Sequence, residues 1–135
     1  MTREAPWGSA EAVGRIPPLV LAYVGDAVYE LAVRERLVEA RTGKVNALHR
    51  EAVALVRATA QAEALQRLEG HLSPEESDVV RRARNAKPGT TPRSVPVQEY
   101  RWATAFEALV GYLHLSGQRE RLAELLALAW AEGGR

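Results

Sequence analysis

The chain reads as all-α, and three observations predict it. Apolar residues recur every three or four positions over long stretches. Capping residues, prolines and glycines bracket those stretches as helix starts and stops. No segment of length carries the alternating pattern of a strand. Five or six helices with short connections are expected, neighbours running antiparallel. The 135 residues suit one domain, 1–135, around one core.

Residues 1–16, with Gly8 and Gly14, read as an N-terminal arm closed by Pro17-Pro18, which can open a helix because proline in a first turn gives up no needed bond. From Leu19 to about Ala40 the apolar positions Leu19, Tyr23, Ala27, Leu31 and Val38 form a stripe, with Glu30, Arg34, Glu35 and Glu39 mostly between them. Thr42-Gly43 ends this first major helix. Asn46 is placed to cap a second helix from Ala47 to Leu68, with Arg50, Arg57 and Arg67 on its outer side. Gly70-His71-Leu72 is a break. Ser73-Pro74-Glu75-Glu76 then supplies a cap, a proline in first helical position and a glutamate three after the cap; that helix runs to about Ala86. Residues Lys87 to Pro96 hold three prolines and a glycine and read as an irregular surface loop. Val97 to Leu115 is helical, Ser116-Gly117 breaks it, and Glu120 to Ala131 is a last amphipathic helix.

Composition narrows the chemistry. The chain is 47% apolar and has no cysteine, which excludes disulfides, thiolate nucleophiles and cysteine-based zinc or iron–sulfur sites. His49, His71 and His114 lie far apart and form no ligand motif. No apolar run reaches the roughly 20 residues of a membrane helix, so a soluble, cytoplasmic protein with no membrane partner is expected. Net charge is only +1, but residues 81–101 carry Arg81, Arg82, Arg84, Lys87, Arg93 and Arg101 against Glu99 alone, a local charge of +5. One face is thereby suited to a polyanion; the competing view is a solvated run with no partner. Trp7, Trp102 and Trp130 read first as packing or interface groups.

Two carboxylates stand out. Asp26, one of only two aspartates, lies within Leu21-Ala22-Tyr23-Val24-Gly25-Asp26-Ala27-Val28-Tyr29-Glu30, and Glu107 lies in the apolar run Ala103 to Leu115. A carboxylate on a core-forming helix is costly unless something pairs with it. If these helices meet, the like charges repel until a cation bridges them, and two carboxylates offer hard oxygen ligands for Mg2+, with Mn2+ as substitute. Ala22, Asp26 and Glu30 are four apart and share a face; small Gly25 and Ala27 allow close approach. Thr104, Glu107 and Gly111 likewise share a side. The alternatives are an arginine partner for Asp26 (Arg84 or Arg101), a bond from Glu107 to Tyr100 or a capping group, and an ordinary Glu30–Arg34 pair. Glu30 is a further candidate metal contact.

These residues resemble a known family over nearly the whole chain. Leu21 to Val28 looks like the signature helix of the ribonuclease III catalytic domain. Arg82-Ala83-Arg84-Asn85-Ala86-Lys87, then Gly89-Thr90-Thr91-Pro92, then Tyr100-Arg101-Trp102-Ala103-Thr104-Ala105-Phe106-Glu107-Ala108-Leu109-Val110-Gly111-Tyr112-Leu113 are similar to the short subfamily called mini-ribonuclease III. The resemblance implies an all-helical, homodimeric, Mg2+-dependent endoribonuclease without a separate double-stranded-RNA-binding domain. It would cut double-stranded RNA to 5′-phosphate and 3′-hydroxyl ends and mature the ends of large-subunit (23S) ribosomal RNA precursor; a ribosomal protein is a further candidate partner.

Residue by residue, the resemblance carries over Asp26 and Glu107 as the catalytic, metal-binding pair. Arg82, Arg84, Asn85, Lys87, Thr90, Thr91, Tyr100 and Arg101 carry over as RNA-binding positions. Full-length ribonuclease III has further carboxylates where this chain has Ala22 and Thr104. Fewer anionic ligands favour one tightly held ion. The departure also supports a competing function, an RNA-binding or assembly domain without the chemistry, while a plain helical interaction domain would leave the basic segment idle.

Overall fold

The computed structural model describes residues 7–40, 43–87 and 95–131. Its centre is α6, Val97–Leu115, in which every residue from Ala103 to Leu113 except Thr104 and Glu107 is buried. A helix apolar on all sides has to be covered on all sides. Five others cover it: α1 (Ala10–Gly14), α2 (Pro18–Ala40), α4 (Ala58–Leu68), α5 (Pro74–Asn85) and α7 (Arg119–Ala129), with α3 (Val45–Val56) packed between α2 and α4. The described residues contain no strand, so the fold is all-α as the periodicity predicts. None of these helices is long and apolar enough to cross a membrane.

Several boundaries follow the local chemistry. Ser73 and Glu76 form the reciprocal capping box read from the sequence, Ser73 Oγ accepting from the Glu76 N–H at 3.1 Å and Glu76 Oε1 from the Ser73 N–H at 2.8 Å. Within the expected N-terminal arm, Ala10–Gly14 is helical: Ser9 caps α1, whose Val13 is fully buried. The expected helix from Ala47 to Leu68 is two. Arg57 takes an extended conformation (φ −71°, ψ 159°) between α3 and α4, and Lys44 rather than Asn46 is the N-cap of α3. Nothing in the local residues demands the bend; it lets α3 lie on α2 while α4 lies on α6.

The largest correction concerns α2. Its buried residues are Leu21, Ala22, Gly25, Tyr29, Val33 and Leu37. Three members of the stripe read from the sequence, Tyr23, Leu31 and Val38, are 83%, 58% and 63% exposed. The helix is apolar nearly all round, so the spacing satisfies two faces. Only the face carrying small Ala22 and Gly25 lets α6 approach closely, and that approach decides between them.

The far end of the chain is clamped back onto this pair. The Tyr29 ring meets Phe106 edge-on at 4.8 Å, and Trp130 Nε1 donates to the Tyr29 hydroxyl at 2.9 Å. Arg67 Nε donates to the Ala129 carbonyl at 2.6 Å. Buried Glu76 accepts two bonds from Arg121, both at 2.9 Å, joining the start of α5 to α7. A buried carboxylate is tolerable only with such pairing.

Candidate functional site

The site begins with two glycines. A Cβ on Gly25 would stand 1.7 Å from the Glu107 carbonyl oxygen, and a Cβ on Gly111 would stand 2.1 Å from that of Leu21. Only hydrogen fits at either place, so the α2 and α6 backbones touch. Leu21 faces Gly111 and Tyr29 meets Phe106, so the two helices run in opposite directions at the crossing. The residue after Gly25 is Asp26, and its side chain hydrogen-bonds Glu107. Two carboxylates 81 positions apart in the chain therefore share one spot.

Their surroundings differ. Asp26 is exposed, whereas Glu107 is largely enclosed. Burial first, then the charge and hydrogen bond of Asp26, push the Glu107 carboxyl from its ordinary 4.5 up to about 8, while a hydrogen bond from Gln61 pulls the other way. Without a cation, Glu107 is thus the protonated partner at neutral pH and donates to Asp26. A divalent cation would take the place of that proton. Two touching carboxylates that one proton now holds together are a donor set suited to a hard cation. The described residues contain no group of three or more histidine, cysteine or acidic side chains placed to hold a metal; Asp26 and Glu107 form a pair.

The remaining candidates fall into distinct places. Glu30 Oε2 accepts from Arg34 Nη2 at 2.9 Å in an exposed pair one turn on. Ala22 is buried, and Thr104 turns its hydroxyl back onto the Tyr100 carbonyl at 2.9 Å. The basic segment divides. Arg82 gives Nε to Asp78 at 2.9 Å and Nη2 to the Gly14 carbonyl at 2.7 Å, tying α5 to the end of α1. Arg81 is also held by Asp78. Arg84, by contrast, lies over the Trp102 ring at 5.1 Å. Arg101 lines a crevice with Tyr100 and Thr104, and its Nε is buried without a partner. Neither has an acidic partner among the described residues. Asn85 and Lys87 are exposed at the end of α5; Thr90 and Thr91 lie outside the described residues. Sequence reasoning missed Gln61, whose signal was a polar residue four before Leu65 and seven before Leu68, on the apolar side of the helix.

Comparison with known proteins places the chain in a family. The family model described as the ribonuclease III domain matches residues 19–118, the span from the start of α2 to the start of α7. The Mini-ribonuclease 3 of Thermoanaerobacter sp. (strain X514) is 53% identical over 119 residues, covering 88% of this chain and 84% of that protein. The chain belongs to the Mini-ribonuclease 3 family. Another Mini-ribonuclease 3, from Symbiobacterium thermophilum, is 56% identical over 114 residues, covering 84% of this chain and 88% of the relative. A crystal structure of a protein from Fusobacterium nucleatum superposes with a TM-score of 0.77 at 31% identity, over 84% of this chain and 91% of that one. Membership in the Mini-ribonuclease 3 family makes the chain an RNA-cleaving nuclease by kind, and the helical frame that brings Asp26 to Glu107 is that of the ribonuclease III fold.

Proposed function

We propose that the chain is an Mg2+-dependent endoribonuclease that cuts both strands of double-stranded RNA and acts as a homodimer. Its natural target would be precursor large-subunit (23S) ribosomal RNA. The observation that carries this reading is the contact between Asp26 and Glu107, forced by two backbones that touch at Gly25 and Gly111. Asp26 and Glu107 would hold the ion, Mg2+ or Mn2+. Bound there, the ion supplies Lewis-acid polarisation of the scissile phosphate and activation of the attacking water.

The chain's own residues do the rest. Glu107 gives up its proton as the site loads, which ties activity to pH. Water attacks phosphorus in line, the bond to the 3′ oxygen breaks, and the products are a 5′-phosphate and a 3′-hydroxyl. Arg84, Lys87 and Arg101, with Asn85 and Tyr100, supply phosphate contacts; Thr90 and Thr91 join them on the strength of the family motif. These grip a duplex by position, because the A-form major groove hides its base edges. Arg82 also fixes α5 through Nε and Nη2, and the other three of the five guanidinium N–H groups remain for a phosphate. A substrate as large as a duplex needs an open face, which suits the exposure of Asp26.

The exposed stripe of Val20, Tyr23, Ala27, Leu31 and Val38 on α2 supports the dimer. It is apolar, uncovered and next to the site, and a two-fold axis lets such a face cover itself. Two copies would then present two sites, one for each strand.

The test uses purified protein, defined RNA duplexes, Mg2+ or chelator, and end-group analysis of the fragments. Mg2+-dependent cutting that leaves 5′-phosphates is expected, with no cutting in chelator. A protein that shifts the duplex but never cuts it, with Mg2+ or Mn2+, is instead a binding domain, and the proposal fails.

A further inference from the structure

Gln61 is the buried polar residue that the chemistry above leaves unused. It is 3% exposed, in the first turn of α4. Its Nε2 donates to the Val56 carbonyl at 2.6 Å, one of the carbonyls that the end of α3 leaves without a helical partner. That bond decides which way round the amide sits, because the reverse orientation would set Oε1 against another acceptor. The same side chain sits beside Glu107 and favours its ionised form, the effect of an amide N–H turned toward a carboxylate. Oε1 is left buried with no donor. An unmet buried carbonyl oxygen costs about 1–3 kcal/mol. The oxygen and nitrogen of one amide lie roughly 2.2 Å apart, which puts this orphan in the immediate surroundings of the Glu107 carboxylate.

We propose that Gln61 is a positioning residue of the metal centre, its N–H orienting the Glu107 carboxylate toward Asp26 and its Oε1 accepting a hydrogen bond from water around the bound cation. This rests on the metal reading given above. The amide brings an acceptor without a third negative charge beside two that already repel. A magnesium ion keeps several of its waters and needs such acceptors for them. The anchor on Val56 gives the side chain a fixed direction, and it sits just after the bend at Arg57, beyond which α4 packs on α6.

The experiment compares wild type with Gln61→Leu and Gln61→Met, both near the original volume and neither able to hydrogen-bond. Mn2+ binding to the RNA-free protein is titrated by electron paramagnetic resonance at pH 8.5, with metal-free melting temperatures alongside, and the Mg2+ concentration for half-maximal cleavage is measured. Losing a partner that orients a metal ligand costs about 10- to 100-fold in affinity. Weakening by at least about tenfold, with the Mg2+ requirement raised to match, is the expected result in whichever variant keeps the wild-type melting temperature. Mn2+ affinity and Mg2+ requirement within about twofold of wild type in a folded variant overturn the inference. Asp26→Asn, titrated in parallel, separates the two claims. If it retains wild-type Mn2+ affinity, the metal reading itself fails; if it loses affinity while the Gln61 variants do not, only the role of Gln61 fails.

Discussion

Replacing Glu107 by glutamine should remove a pH dependence that the metal-free protein otherwise shows. The folded state holds this carboxyl near 8, against 4.5 ordinarily. Between those values the folded chain keeps a proton that the unfolded chain has released, so stability falls as pH rises through the window. From pH 5 to pH 8 the full shift corresponds to roughly 3.5 kcal/mol. Water reaching the pair past exposed Asp26 reduces this, and about half is a fair working value. For a domain of this size that is a fall of roughly 5 °C in melting temperature. Glu107→Gln keeps the shape and can still donate to Asp26, but it has no proton to lose. Thermal melts in chelator at pH 5, 6, 7 and 8 make the comparison: the wild-type melting temperature should fall across the series, Glu107→Gln should stay nearly flat by comparison, and added Mn2+ should restore wild type at pH 8 but not the variant. Identical slopes for the two proteins would refute the assignment of the buried proton to Glu107.

Gly25→Ala places a methyl group against the Glu107 carbonyl at a distance no packing allows; a loss of ~3 kcal/mol or more is expected, with Mn2+ binding lost as well, read by melting and titration. Glu30→Gln should cost at most ~0.5 kcal/mol and leave Mg2+-dependent cleavage nearly unchanged in a duplex-cutting assay, because its carboxylate serves Arg34 on the surface. Arg101→Ala should weaken binding to all duplexes alike and lower the slope of log affinity against log salt by about one, measured by filter binding at several NaCl concentrations.

Much of this architecture is legible in the residues. The capping box at Ser73 needs only local chemistry; most of the irregular loop expected from Lys87 to Pro96 lies outside the described residues. Asp26 and Glu107 announce themselves as charges in apolar runs, and Gly25 beside Asp26 already hints at a close approach. The face of α2 is not legible, because spacing alone cannot choose between two apolar stripes when the choice depends on which one a distant backbone can touch. The break at Arg57 carries no glycine or proline, and it follows from where α4 must pack. Arg82 shows both levels: its bond to Asp78 is visible as a four-residue spacing, while its bond to the Gly14 carbonyl joins residues 68 apart. Gln61 stayed hidden because its meaning depends on Glu107, which only the fold places beside it.

Anomalous diffraction from crystals of the protein soaked in Mn2+ at pH 8.5 addresses the metal centre itself. A peak is expected between Asp26 and Glu107, within coordination distance of an oxygen of each. A map with no peak there, and the two carboxyls still sharing their proton, would contradict it.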